Sequence, residues 1–335
     1  MKAEAGSVLI TGGAGFIGSN FLRYLMNKIE NILLVVDNLS IGRLENIAPL
    51  LNDPRVKFFC ADLTRDEKVL DFIFWRYSPT IILHFAAEAH VDESIRNPLV
   101  ASSNYLMTNF LLEKARKYGV EKFIQVSTDE VYGPVPEGFA DEDHSLNPSS
   151  PYSASKASCD LLCLSYFKTY SLPVIITRCT NNYGPYLDVR RLIARHITNA
   201  LLDLPLPIWD GGEQVRDWLY VEDHCEALYL LMQRGKPGEI YNISAGNLRT
   251  NLEVAEAILR LIPESKSQIV LKGSRPAHDV RYALDSSKIR SMGWKPKYSF
   301  EEGLRLTVDW FRNNEEWWKK TKEKVEKELY DKIGR

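Results

Sequence analysis

The run Val8-Leu9-Ile10-Thr11-Gly12-Gly13-Ala14-Gly15-Phe16-Ile17-Gly18 constrains this chain more than any other segment. A short β-branched stretch meets a glycine turn, and an amphipathic pattern starts at Phe16. Gly12 permits a tight turn, Gly15 lets the backbone approach a pyrophosphate, and Gly18 lets the following helix pack closely on a sheet. The N–H groups and dipole at such a helix start favour phosphate. Glycine spacing alone leaves an ordinary strand-to-helix turn open, so the surrounding chain has to decide.

The same alternation continues for half the chain. Short apolar runs predict strands at 8–11, 32–37, 56–60, 80–85, 122–127 and 173–178. Helical patterns lie at 16–27, 66–77, 99–118 and 153–170. Alternating β and α units predict an α/β fold: a Rossmann-type doubly wound parallel sheet, with ligands beyond the carboxyl ends of its strands. We assign 1–178 to this nucleotide-binding part. After Arg178 the rhythm breaks at Gly184-Pro185 and Asp210-Gly211-Gly212. Short strands are expected near Ile208 and Ile240, and helices at 221–233 and 252–261. Residues 179–335 thus read as a smaller α/β substrate lobe, with some segments returning to the first part. The charged end, with Trp317 and Trp318, reads as a solvated helix.

Composition narrows the partners. Among 335 residues, 42 Lys and Arg face 44 Asp and Glu, a net charge of -2. That balance argues against nucleic acid and anionic membranes as partners. No apolar run approaches the roughly 18–20 residues of a membrane span, and residues 1–7 lack a signal-peptide core. The five cysteines are scattered, with no metal-ligand spacing, so reduced thiols in a cytoplasmic protein and no metal are expected.

The second strand ends at Asp37, where a carboxylate would accept hydrogen bonds from an adenosine ribose. A 2′-phosphate would be repelled there, which favours NAD over NADP, although Arg43 nearby keeps NADP open. Asp62-Leu63, past the third strand, is placed to read adenine. Tyr152 and Lys156 stand four apart at a helix start and share a face. A free phenol titrates near pH ~10, and an adjacent ammonium should draw it toward a working range. Two adjacent acids, Asp129 and Glu130, follow the fifth strand. On an extended strand end they would point to opposite sides and reach different parts of one substrate.

Together these motifs resemble the extended short-chain dehydrogenase/reductase superfamily: Thr11 to Gly18 matches its opening, and Thr128, Tyr152 and Lys156 match its catalytic set. Ser127-Thr128-Asp129-Glu130-Val131-Tyr132-Gly133, followed by Ser150-Pro151-Tyr152-Ser153-Ala154-Ser155-Lys156, is similar to the nucleoside-diphosphohexose 4,6-dehydratases, foremost those acting on dTDP-glucose. Ala86-Ala87-Glu88, Asn181-Asn182-Tyr183-Gly184-Pro185, Arg216-Asp217-Trp218 and Arg275-Pro276 with His278 extend the match through most of the chain.

The resemblance implies bound NAD, a nucleotide-sugar substrate and a homodimer built through a four-helix bundle of 99–118 and 153–170. It implies catalysis by Thr128, Asp129, Glu130, Tyr152 and Lys156. The implied cofactor residues are Gly12, Gly15, Phe16, Ile17, Gly18, Asp37, Asn38, Ser40, Asp62, Leu63, Phe85, Ala86, Ala87, Ser103 and Asn182, joined by Tyr152 and Lys156. The implied substrate residues are Glu88, Thr128, Asn181, Arg191, Leu192, Pro207, Ile208, Trp209, Arg216, Asn251, Arg275 and His278. The chain departs from the dehydratase pattern at Ala89, at Val189-Arg190-Arg191-Leu192, at Trp209, and at Ser274 and Ala277. Its segment from Asp37 to Arg43 reads more like epimerases and decarboxylases. A UDP-sugar 4-epimerase or UDP-glucuronate decarboxylase therefore stays as the alternative enzyme, and a non-catalytic NAD-binding regulator as the remote one.

Overall fold

The computed structural model describes residues 6–273 and 279–333. The first half runs β1 Ser7–Thr11, α1 Phe16–Met26, β2 Leu33–Asp37, β3 Val56–Cys60, α2 Glu67–Tyr77, β4 Pro79–His84, α3 Val91–Arg96, α4 Pro98–Tyr118, β5 Lys122–Thr128, α5 Pro151–Tyr170 and β6 Val174–Cys179. The second half runs β7 Asn181–Tyr183, α6 Leu192–Leu201, β8 Leu206–Trp209, β9 Val215–Tyr220, α7 Val221–Arg234, β10 Ile240–Ile243, β11 Leu248–Thr250, α8 Asn251–Leu261, β12 Ile269–Lys272, α9 Ser287–Ser291, α10 Phe300–Asn313 and α11 Glu315–Ile333. The six strands expected in the first half lie within one residue of these bounds, because each is an apolar run ended by glycine or a polar residue.

Seven strands form one sheet in the order β10-β6-β5-β4-β1-β2-β3, and every neighbouring pair is parallel. The chain winds outward from β1 to β3, then restarts at β4 on the other side of β1. This reversal opens a crevice at the carboxyl ends of β1 and β4, the place where such sheets bind ligands. The strand near Ile240 belongs to this sheet and not to the smaller lobe. β10 pairs with β6 from Ile240 opposite Ile176 to Ile243 opposite Cys179. Its apolar side chains are the reason, since Ile243 joins the core on one face of the sheet.

Two apolar clusters cover the sheet. One joins Ile10, Val35 and Ile124 to α1 and α7 through Phe21, Leu25, Leu228 and Leu231. The other joins Leu9, Leu34 and Ile82 to α2, α4 and α5 through Phe74, Leu111 and Cys163. A third core lies among α6, α8, α10 and the short strands, around Tyr183, Ile197, Ile258, Phe311 and Trp318. There β11, β9 and β7 form one small sheet, and β12 with β8 another. Among the described residues, no helix is long and apolar enough to cross a membrane.

Candidate active site

The glycine turn sits at the sheet's crevice. Gly12 has φ +67°, and a Cβ there would lie 2.6 Å from the Ala86 amide nitrogen. A Cβ on Gly18 would lie 2.3 Å from the Gly12 carbonyl oxygen. The turn therefore has no room for side chains at these two positions. Among the described residues no side chain caps the start of α1 at Gly15, which leaves the first-turn N–H groups of Phe16 and Ile17 for an anion. Such a cradle fits a dinucleotide pyrophosphate.

Asp37 is buried at the end of β2. Its Oδ2 accepts from the Ala14 amide at 3.0 Å and its Oδ1 from the Leu39 amide at 2.8 Å. Burial pushes its carboxyl up, against the pull of those amides. A carboxylate keeps lone pairs beyond these two bonds for ribose hydroxyls. Asn38 Nδ2 donates to Asp62 Oδ2 at 3.2 Å, which ties the ends of β2 and β3 where adenine would lie. Leu63 is buried in the adjoining core, and Ser40 is exposed with its amide on Asn38. Phe85 and Ala86 bond back to Thr11, and Ala87 follows them along the crevice wall. The Ser103 hydroxyl, expected at the cofactor, donates to the Val100 carbonyl of its own helix at 2.7 Å and keeps its lone pairs as acceptors. The Asn182 amide spans the Thr180 carbonyl and the buried His224 ring at 2.9 Å each.

α5 starts at a capping box in which Ser150 and Ser153 each satisfy the other's backbone amide. Such a cap contributes about 1 kcal/mol, and with Pro151 it fixes where Tyr152 and Lys156 emerge. Both are buried. The Tyr152 amide donates to Ser94 Oγ at 3.2 Å, and Lys156 Nζ donates to the Val126 carbonyl at 2.8 Å. The expectation that Lys156 draws the phenol down is not met in this structure. Burial, and then the Glu130 charge, push the Tyr152 phenol above its ordinary value, and Arg191 is the cation that opposes them. Lys156 spends its ammonium on the strand carbonyl.

The two acids are arranged differently from an extended strand end. β5 stops at Thr128, and Asp129–Tyr132 form a single 3₁₀ turn capped by the Thr128 hydroxyl. Residues of a 3₁₀ turn are about 120° apart, so the acids still diverge, by helical rotation and not by strand alternation. Thr128 Oγ1 donates to Asp129 Oδ1 at 3.1 Å. Asp129 Oδ2 is buried with no hydrogen-bond partner among the described residues. Burial, reinforced by the Glu130 charge, pushes the Asp129 carboxyl up to about 8, with Arg216 acting against it. At neutral pH this carboxyl holds a proton.

Around the acids, Arg191 Nη2 donates to the Ala89 carbonyl at 2.7 Å. Arg216 Nη2 donates to the Asp279 carbonyl at 2.9 Å. Asn181 and Asn251 each carry a buried Oδ1 with no hydrogen-bond partner among the described residues. Glu88 is half-buried and raised by burial, and Asn104 braces its backbone through both amide ends. Leu192 opens α6, Pro207 is half-buried on β8, and Trp209 is exposed at its end. Ile208, expected to touch substrate, points its side chain into the third core instead, because alternate residues of β8 face inward. Arg275 and His278 lie outside the described residues. Sequence reasoning missed Tyr282, whose ring carries the Arg216 guanidinium at 4.4 Å and whose hydroxyl donates to Asp279 Oδ2 at 2.5 Å. It also missed Cys179, buried at the end of β6, whose thiol donates to the Ser127 carbonyl at 3.5 Å and is pushed up by burial and then by the Asp129 charge. Neither stands in a local motif. Only the pairing of β5 with β6 and the return of 279–282 place them here.

The family model described as GDP-mannose 4,6 dehydratase matches residues 9–307. The chain belongs to that family. It is 43% identical to a dTDP-glucose 4,6-dehydratase of Escherichia coli, over 93% of this chain and 95% of the relative. The crystal structure of a dTDP-glucose 4,6-dehydratase from Streptomyces venezuelae with NAD bound is similar at TM-score 0.88 and 41% identity, covering 93% of this chain and 98% of that one. A dTDP-glucose 4,6-dehydratase from Bacillus anthracis in complex with NAD gives TM-score 0.86 and 43% identity over 94% and 99%. Membership in the GDP-mannose 4,6 dehydratase family agrees with the closed glycine cradle and the acid pair beyond β5.

Proposed function

We propose that this chain is an NAD-dependent dehydratase that converts dTDP-glucose to its 4-keto-6-deoxy sugar. The observation that carries this reading is Asp129: a buried carboxyl pushed well above its ordinary range, beside a second acid at the end of β5. Eliminating water needs one group to take a carbon-bound proton and another to protonate the departing hydroxyl. Epimerases and decarboxylases expel no hydroxyl and leave Asp129 without a task.

Bound NAD supplies a reversible hydride store, taking hydride from C4 and returning it to C6. Tyr152 would take the C4 hydroxyl proton as a phenolate, which needs the cationic nicotinamide of bound NAD, with Arg191, to offset the burial and the Glu130 charge that raise the phenol in this structure. Thr128 would orient that hydroxyl and Lys156 the nicotinamide ribose. The C4 ketone acidifies the C5 proton, which Glu130 removes. Asp129 gives its proton to the C6 hydroxyl, which leaves as water. Glu130 then returns a proton to C5 as hydride reaches C6. The proton gained by Tyr152 balances the one lost by Asp129. Arg191 and Arg216 hold the pyrophosphate, and the amide oxygens of Asn181 and Asn251, without a partner among the described residues, face polar groups of the substrate. Residues 1–178 serve mainly the cofactor and 179–335 mainly the nucleotide-sugar.

Exposed apolar residues on α4 and α5 support a homodimer through a four-helix bundle. The five cysteines are free and all but Cys60 are buried, which suits a reducing cytoplasm. The test of the reaction is dTDP-glucose deuterated at C4. Loss of water with deuterium at C6 and no net reduction of NAD is expected. Unchanged substrate, or a C4 epimer, overturns the reading.

A further inference from the structure

The charged terminal helix has a specific attachment. Arg43 Nη1 donates to the Trp317 carbonyl at 2.7 Å, and its guanidinium carbon lies 4.6 Å from the centre of the Trp317 ring. Arg43 Nε also lies 3.8 Å from Glu45. Trp317 is itself fixed on several sides. Its Nε1 donates to Asn46 Oδ1 at 2.8 Å, and its ring packs on Trp310 at 5.0 Å and Tyr186 at 5.7 Å. Asn46 Nδ2 in turn donates to the Ala14 carbonyl at 2.7 Å, and so does the Arg43 amide at 3.0 Å. The start of α11 is thus bonded to the glycine turn through two residues of the loop after β2.

The position of Arg43 gives this contact a chemical meaning. Its neighbour Gly42 lies against the ribose-binding carboxylate: a Cβ there would be 2.7 Å from Asp37 Oδ2. An arginine beside that carboxylate is the group that accommodates a 2′-phosphate in dinucleotide folds. Here the guanidinium is engaged by the Trp317 carbonyl and held on the Trp317 indole face, a cation–π contact that strengthens as water is excluded. Asp37 repels a 2′-phosphate, and Trp317 withholds the cation that would offset the repulsion.

We infer that Trp317 is a specificity-determining residue, enforcing selection of NAD over NADP by capturing Arg43. This rests on the reading that NAD occupies the crevice at Gly12. The experiment uses the purified holoenzyme with Trp317→Ala, Trp317→Leu, Arg43→Ala and the double variant Arg43→Ala/Trp317→Ala. Each is equilibrated with excess NADP, freed of unbound nucleotide, and its retained NAD and NADP are measured by chromatography after denaturation. Trp317→Ala is expected to raise the retained NADP-to-NAD ratio about tenfold over the unsubstituted enzyme, the scale of one charge-assisted hydrogen bond. Trp317→Leu, which keeps an apolar filler against Trp310 and Tyr186, is expected to move the ratio the same way if the alanine variant does not fold. The double variant is expected to lose the gain. An unchanged ratio in both Trp317 variants, or a gain that persists without Arg43, overturns the proposal while leaving the dehydratase reading standing. An unsubstituted enzyme that retains no NAD overturns the cofactor reading and this proposal together.

Discussion

Thr128 Oγ1 donates to Asp129 Oδ1 at 3.1 Å, while the opposite oxygen of the same carboxyl is buried without a hydrogen-bond partner among the described residues. One oxygen is satisfied as an acceptor and the other is left to carry a proton and present it. The neighbouring Glu130 charge strengthens that preference, so adjacent acids are pushed into different protonation states. With Asp129 raised to about 8, the acid form dominates at neutrality and is lost as pH rises through that value. Turnover is therefore expected to fall on the alkaline side with an apparent pKa about 8. An Asp129→Asn variant should lose roughly 10²- to 10⁴-fold in kcat. Because hydride removal at C4 does not need Asp129, that variant should accumulate reduced nicotinamide, read by its near-ultraviolet absorbance. Full turnover in Asp129→Asn would remove the dehydration role.

The same carboxyl has a cost in stability. Its folded-state pKa lies above the ordinary carboxyl value of 3.8, so its contribution is fully present below that value and declines as pH rises toward about 8. Asparagine has no such titration. Asp129→Asn should be more stable than the unsubstituted protein by about 4 kcal/mol at pH ~7, with the difference shrinking to under about 1 kcal/mol at pH ~4. Denaturant unfolding at the two pH values checks this. Equal stabilities at both would mean that the carboxylate is not penalised in the fold.

The parallel sheet was readable because its strands are apolar runs with glycine or polar ends, and burial on both faces forces that pattern. The cradle was readable because Gly12 and Gly18 answer steric demands that act within one turn. What escaped is what depends on distant pieces of chain meeting. Tyr282 reaches the site because 279–282 returns beside β9, where Val215 and Arg281 bridge, and nothing near residue 282 announces it. The four-residue spacing puts Lys156 one turn after Tyr152 on α5, yet its partner is a carbonyl of β5, which no side-chain motif records. The inward side chain of Ile208 was hidden for a similar reason. A four-residue strand does not show which of its faces is covered.

Gly12 provides a test of the cradle separate from catalysis. Its φ of +67° disfavours any side chain, and its Cβ position falls on the Ala86 backbone, which cannot swing aside as a flexible side chain would. Gly12→Ala should destabilise the fold by about 1–3 kcal/mol. It should also lower the NAD content of the purified protein, because the turn must open away from the start of α1. Nucleotide content measured on the fraction that remains folded separates the two effects. A folded Gly12→Ala protein with full NAD would show that the turn does not set the pyrophosphate position.

The long helices predict the assembly. On α4, Leu99, Leu106 and Phe110 are 80%, 45% and 41% exposed, and spacings of seven and four align them along one stripe. On α5, which packs beside α4, Leu161 is 57% exposed. Large apolar side chains in line on two adjacent helices are better covered than wet, each contributing about 1.5–3 kcal/mol when fully buried. A second copy related by a two-fold axis would bring the same four residues from its own α4 and α5 to the opposite side, completing a four-helix bundle. Light scattering is therefore expected to give twice the chain mass. The double variant Leu106→Glu/Leu161→Glu should shift the protein to monomer, since two carboxylates from each copy would be buried at one interface. Neither residue belongs to the site, so circular dichroism of the variant should keep the α/β signature. A monomeric mass before substitution would reject the pairing and leave the exposed stripe to some other partner.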